Sequence, residues 1–139
     1  MNVKVHDLMV RSVITTTAHR SVGHAKDLMK KHGIHMLPVT NSDGEPTGVV
    51  SSTDLLDQKS DERPLGQIMT RKIYTIPEYD GAHIAARVMR NHRIHHLVVT
   101  HEGRVTGVLS SFDLLALVED HRFQIRNAPT EARRTRGRS

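Results

Sequence analysis

Cysteine is missing from all 139 positions of the sequence. That excludes a disulfide framework, a thiolate metal site and a cysteine nucleophile, and it leaves the redox compartment open. Long apolar runs are missing as well. No stretch approaches the roughly 18 apolar residues of a membrane span, and the opening MNVKVHDLM has no apolar run of the signal-peptide kind. The expectation is a soluble, cytoplasmic protein without membrane association. A Gly-rich phosphate loop of the Walker type is also absent, which removes the commonest nucleotide-hydrolysing motif.

Charge is present but unevenly placed. Of the formal +5, the last 14 residues contribute five arginines against Glu131, so the body of the chain is near neutral. A basic, apolar-poor segment cannot offset its own ordering entropy, which predicts a disordered tail over residues 123–139. No aromatic residue is interleaved there to stack on bases, and this argues against nucleic acid as a partner.

The body is an internal repeat. At a shift of 60, Met9, Thr15, Ala25 and Met29 recur as Met69, Thr75, Ala85 and Met89, and the run from His32 to Thr40 recurs from His92 to Thr100. The shift then drops to 59, where TGVVSSTDLL (47–56) meets TGVLSSFDLL (106–115) with eight identical positions. Agreement of that density excludes chance. The expected division is a first repeat over 1–59, a polar linker over 60–64 and a second repeat over 65–122.

Each copy predicts the same elements. A short helical turn (VHDLM, LGQIM) leads into a β-branched run suited to a strand (VITT, IYTI). Ser21 then caps a helix with Val22, Ala25, Leu28 and Met29 at helical spacing, and Gly33 stops it. The strands HMLPV and HHLVV follow, joined through Asp43-Gly44 or Glu102-Gly103 to TGVV or TGVL as hairpins. A last helix opens at Ser51-Ser52 or Ser110-Ser111. The fold class is therefore α/β, in the α+β sense: two three-stranded sheets with helices on one side, paired sheet to sheet because one unit alone leaves apolar surface open.

At the final strand-to-helix junction, free amides and the helix dipole favour an anion beside Ser51 or Ser110. Three residues on, the Asp54 or Asp113 carboxylate can accept from a ribose cis-diol. The same Ser and Asp can equally be a capping box with no ligand at all. Spacing alone leaves both readings open.

The repeated IHMLPV and IHHLVV strands, GVVSSTD and GVLSSFD, and the MV or MT starts resemble the CBS domain family, whose paired repeats form a Bateman module. The resemblance covers about residues 3–121. It implies that Asp54 and Asp113 hold ribose and that Ser51 and Ser110 meet phosphate, with Thr53 among the ligand-binding residues. By the same resemblance Ile14, Ile34, Tyr74 and Ile94, with Val13 and Ile73, flank an adenine. His35, His95 and His96 become anion contacts. Which repeat's adenine wall serves the other's Asp is left open.

Eleven histidines invite a metal reading, but Gly33 and the strand after it break the spacing in HGIH, and no cysteine or acidic partner is near. No metal site and no required cofactor are expected. Met36 opposite His96, and Thr53 opposite Phe112, predict two unequal sites, with Phe112 stacking on a base or plugging a pocket. The reading that results is a non-enzymatic regulatory module binding AMP, ADP, ATP or another adenosyl ligand. It would form a homodimer through apolar helices such as 111–121 and signal to an effector protein of unknown identity. The alternative is an interaction scaffold with degenerate sites.

Overall fold

A computed structural model describes residues 2–11 and 13–120. The basic segment expected to be disordered lies outside them. The first repeat contains α1 (Val5–Leu8), α2 (Val22–His32), β1 (Met36–Thr40), β2 (Pro46–Ser51) and α3 (Ser52–Leu56). After a 3₁₀ turn at Leu65–Gln67 the second contains β3 (Thr75–Pro77), α4 (Ala82–His92), β4 (His96–His101), β5 (Arg104–Ser110) and α5 (Ser111–Asp120). No helix among the described residues is long and apolar enough to cross a membrane.

Local signals act as expected. Ser21 accepts the His24 amide at 3.1 Å to start α2, and Gly33 ends that helix at φ 64°, ψ 36°. In the second repeat Arg93 takes the same left-handed place at φ 54°, ψ 45°. A side chain there costs about 1 kcal/mol. The one-residue change of repeat shift lies in the hairpin turns. Asn41 Oδ1 accepts from the amides of Asp43 and Glu45 in the longer first turn. The second turn is a tight one at Glu102 (φ 51°) and Gly103 (φ 81°), the positive pair that a type I′ hairpin needs.

The mixed α/β architecture has two small sheets. One is an antiparallel β1–β2 pair; the other orders β3-β4-β5, with β3 parallel and β5 antiparallel to β4. The strand expected over VITT shrinks to a single parallel bridge between Thr16 and Val39, while IYTI contributes only its end to β3. The residues ahead of these pairings, Val13, Ile14, Ile73 and Tyr74, turn away to line clefts instead.

Packing does not follow the sequence repeats. One core joins Val22, Ala25, Met29, Leu37, Val39, Val50 and Leu55 to Leu65 and Met69, which belong to the start of the second repeat. The other joins Ile76, Ala85, Met89, Leu97, Val99 and Leu109 to Val5 and Met9 from the start of the first. Each lead segment is thus exchanged onto the opposite repeat. Reciprocal backbone bonds fasten it: Val10 with Val108 (3.0 and 3.2 Å) and Thr70 with Val49 (2.9 Å both ways). Helix starts are tied in the same way, with the Val22 amide on Arg63 O and the Ala82 amide on Val3 O, each at 2.9 Å.

This exchange explains the glycine of each TGV. A Cβ on Gly48 would lie 2.8 Å from Thr70 O and 2.9 Å from Met69 Sδ, and one on Gly107 would lie 2.7 Å from Val10 O and 2.8 Å from Met9 Sδ. Only a residue without a side chain lets the crossing segment approach so closely.

Candidate functional site

Two clefts lie between the repeats. The first, about 230 Å³, is walled by Val10, Val13, Ile14, Ile34, His35 and Met36 on one side and by His96, Val108, Ser110 and Asp113 on the other. The second, about 370 Å³, takes Thr70, Lys72, Ile73, Tyr74, Ile94, His95, His96 and Val98 from the second repeat, with Met36 and Val49 from the first. Met36 and His96, matched positions of β1 and β4, line both. They form the partition between the clefts.

The crossing of the lead segments builds the first cleft. Val10 bridges Val108, which draws Val13 and Ile14 over the end of β5, and Ser110 and Asp113 lie where β5 turns into α5. Apolar walls therefore face a carboxylate from the other repeat. Of the residues singled out in the sequence, Ile14, Ile34, His35, His96, Ser110 and Asp113 come together here. Tyr74, Ile94 and His95, with His96, meet in the second cleft. Ser51, Thr53 and Asp54 line neither, and Thr53 is exposed.

Both Ser–Asp pairs are capping boxes. The Ser51 amide donates to Asp54 Oδ2 at 2.9 Å and the Asp54 amide to Ser51 Oγ at 3.1 Å; Ser110 and Asp113 repeat this at 2.8 and 3.1 Å. The Ser52 and Ser111 amides are taken as well, by His35 O and His95 O at 2.8 Å. At most one amide of each helix start is left for an anion, which corrects the expectation of an open amide cradle there. What remains is the Ser hydroxyl proton and the second carboxylate oxygen. That oxygen can accept from a diol.

Phe112 neither stacks in a cleft nor plugs one. It is 77% exposed and lines an outer hollow with Asp7, Leu8, Asp113, Leu115, Ala116 and Glu119, because its position in the first turn of α5 points away from the sheet. Tyr74 is held by the His92 ring, with centroids 4.3 Å apart. Lys72, Thr70, Val10 and Val108 are cleft residues that sequence reasoning missed. Val10 and Thr70 directly follow the buried Met9 and Met69, and Lys72 stands three places after Met69, where a basic residue so close to a buried Met was the available signal.

The electrostatics of the clefts differ. Among the described residues the first holds the Asp113 carboxylate and two histidines, the second Lys72 and two histidines without a carboxylate. The His96 imidazole is held below its ordinary pKa by desolvation against the cleft walls and then by the neighbouring His95, with Asp113 pulling the other way. It is therefore biased toward the neutral form. Among the described residues no group of three or more His, Asp and Glu side chains gathers to hold a metal ion.

The chain is 35% identical over 117 residues to a homoserine O-acetyltransferase of Methanocorpusculum labreanum, matching 83% of this chain and 24% of that protein. It thus spans about a quarter of that enzyme's length. A CBS domain-containing protein of Dictyostelium discoideum is 28% identical over 134 residues, covering 85% of this chain and 92% of the relative. Among solved structures, the CBS domain pair of protein MJ0100, in complex with 5′-methylthioadenosine and S-adenosyl-L-methionine, superposes with a TM-score of 0.78 at 25% identity. It covers 88% of this chain and all of the other. An acetoin utilization protein from Vibrio cholerae gives the same TM-score and identity over 87% of this chain and 95% of its own. The CBS domain family profile matches twice, at residues 5–61 and 65–120. Repeat, exchanged lead segments, fold and profile agree, and the chain belongs to the CBS domain family as a tandem CBS pair.

Proposed function

We propose that this CBS pair is a regulatory module whose first cleft binds an adenosine ligand. The observation that carries the reading is the composite wall: Ile14 and Ile34 face Ser110 and Asp113 across the repeat boundary. A purine fits between the branched apolar side chains, and the free Asp113 oxygen accepts the ribose hydroxyls in charge-assisted bonds. At about 230 Å³ the cleft is smaller than the roughly 300–1,000 Å³ usual for an enclosed drug-sized ligand. Base and ribose enter and the substituent at C5′ projects past His35 and His96. The adenosyl ligands of the MJ0100 pair, a structural neighbour at 25% identity, support this class. AMP, ADP, ATP and S-adenosylmethionine are the candidates, acting as regulatory ligands on a separate effector.

A second reading rests on the outer helices. Phe112, Leu115 and Val118 are 77%, 55% and 54% exposed along one stripe of α5, and Leu56 is 80% exposed at the end of α3. Such a stripe suits a homodimer, and with empty clefts it would make the module a scaffold. Melting curves with AMP, ADP, ATP and S-adenosylmethionine separate the readings, because a ligand selective for the folded state raises the Tm by mass action. A rise with at least one is expected; no rise with any favours the scaffold. Light scattering at micromolar concentration is expected to give a dimer, and a monomer there overturns the pairing through α5.

A further inference from the structure

The outer hollow between α1 and α5 has a volume of about 350 Å³ and shares Asp113 with the first cleft. Leu8, Phe112 and Leu115 give it apolar surface, and Asp7, Asp113 and Glu119 set three carboxylates around that surface. Among the described residues no lysine, arginine or histidine lines it. Phe112 and Leu115 are 77% and 55% exposed, so the apolar part is open to solvent.

Helix capping accounts for two of the carboxylates. Asp7 accepts the Lys4 amide at 2.9 Å and Asp113 the Ser110 amide at 2.8 Å. It does not account for Glu119, which stands in the last turn of α5, where the helix dipole disfavours an acid. Both α2 and α4 end on basic residues, Lys30, Lys31 and His32 in one and Arg90 and His92 in the other, whereas the last turn of α5 has none. Packing does not account for Phe112 either, because the first repeat has Thr53 at the matching exposed place. An exposed aromatic ring beside three carboxylates suits arginine, whose guanidinium pairs with the acids and stacks on the ring.

Arginine comes next in the chain. Residues 121–139 hold six arginines and one glutamate, which is the whole formal +5 of the sequence. They begin directly after Asp120, at the end of α5. The helix from Glu119 back to Phe112 is about 10 Å long, which about four extended residues span. We propose that residues 121–139 dock in this hollow of their own chain, with arginines on Asp7, Asp113 and Glu119 and over the Phe112 ring. A second copy laid face to face on the hollow would instead bring the same three carboxylates against them. Val118 and Leu56 do not line it and remain for pairing. Because Asp113 also lines the first cleft, a docked arginine and a ribose compete for that carboxylate, a consequence that rests on the adenosine reading above. Binding of AMP releases the segment, and the release makes occupancy of the cleft readable at the surface.

The test attaches a nitroxide to Thr130→Cys in the full chain, which otherwise has no cysteine, and follows paramagnetic broadening of amide resonances. Broadening is expected at Leu8, Leu115 and Ala116. It should fall severalfold in Glu119→Lys, in Phe112→Gln and in about 0.5 M chloride, which screens exposed charges within about 4 Å. Both substituted positions are exposed, so the fold is expected to hold, and the Tm of each variant checks this. Docking is overturned if those three amides are broadened no more than the Gly103 turn, or if broadening is unchanged in both variants. Mixing nitroxide-bearing chains with isotope-enriched, unlabelled ones separates the occupants: broadening seen only in the mixture assigns the hollow to the segment of a second copy and overturns docking within one chain. AMP is expected to relieve the broadening, and AMP that binds without relieving it overturns the competition at Asp113. Failure of AMP to bind at all counts against the adenosine reading alone, because the ligand-free spectra decide the docking without it.

Discussion

The two repeats share residues at several places where they bury each other and differ at several that face a cavity. Gly48 and Gly107 both lie under a crossing lead segment, and Leu37 and Leu97 are both fully buried. Met36 and His96, which differ, share the partition between clefts; Ile14 and Tyr74 differ at the cleft walls; Gly33 and Arg93 differ at the helix ends. Packing constrains both copies alike because the exchange makes each repeat part of the other's core. Some cavity-wall positions differ between the copies, and among the described residues Asp113 lines the first cleft while Lys72 lines the second.

The largest expected effect strikes the shared feature. Gly48→Ala and Gly107→Ala each force a methyl within 3 Å of a backbone carbonyl and a methionine sulfur. Each should destabilise the protein by about 3 kcal/mol, roughly 10 °C in Tm. Thermal melting of the two variants checks whether the lead segments are equally important; a large loss for one and none for the other would break the symmetry of the exchange.

A smaller effect sharpens a difference within the cores. Thr16 is buried with no partner for its hydroxyl among the described residues, at the place where the second repeat has Ile76. Removing an unsatisfied buried hydroxyl should stabilise, so Thr16→Val is expected to gain about 1 kcal/mol in denaturant titration. The reciprocal Ile76→Thr should lose at least as much.

Most of the fold was legible in the sequence. Repetition, the Ser21 cap, the Gly33 stop and the Glu102-Gly103 hairpin each have a local chemical cause that survives without tertiary context. The exchange of lead segments was not legible, because periodicity says that Val5 and Leu65 are buried but not by which repeat. For the same reason the sequence could not say that Ile14 faces Asp113 rather than Asp54. Phe112 was misread as a cleft residue because its alignment with Thr53 carries no direction, and Lys72 was missed because it stands in the short connection between the LGQIM turn and the IYTI run, where no chemistry was expected.

The smallest effect concerns His96, which only the second repeat possesses. Its folded pKa is lowered, so the unfolded chain binds more protons in mildly acidic solution. The stability this contributes is present above the unfolded value near 6.5 and is lost as pH falls through the folded pKa. An anion beside the imidazole favours its charged form. Binding of AMP is therefore expected to strengthen between pH 7.5 and 6 while ligand-free stability declines slightly, and His96→Gln should flatten both profiles.

The composite first cleft is tested most directly by AMP titration of Asp113→Ala beside Asp54→Ala. Both substitutions remove a capping carboxylate and should lower stability by about 1 kcal/mol. Of the two, Asp113 lines the first cleft and Asp54 lines neither of the two clefts described, so loss of Asp113 is expected to weaken AMP tenfold to a hundredfold, about 1.4 to 2.8 kcal/mol, with Asp54→Ala near wild type. Equal affinity in both mutants and the wild type would contradict the account, reducing Asp113 to a helix cap and removing the ribose from the cleft.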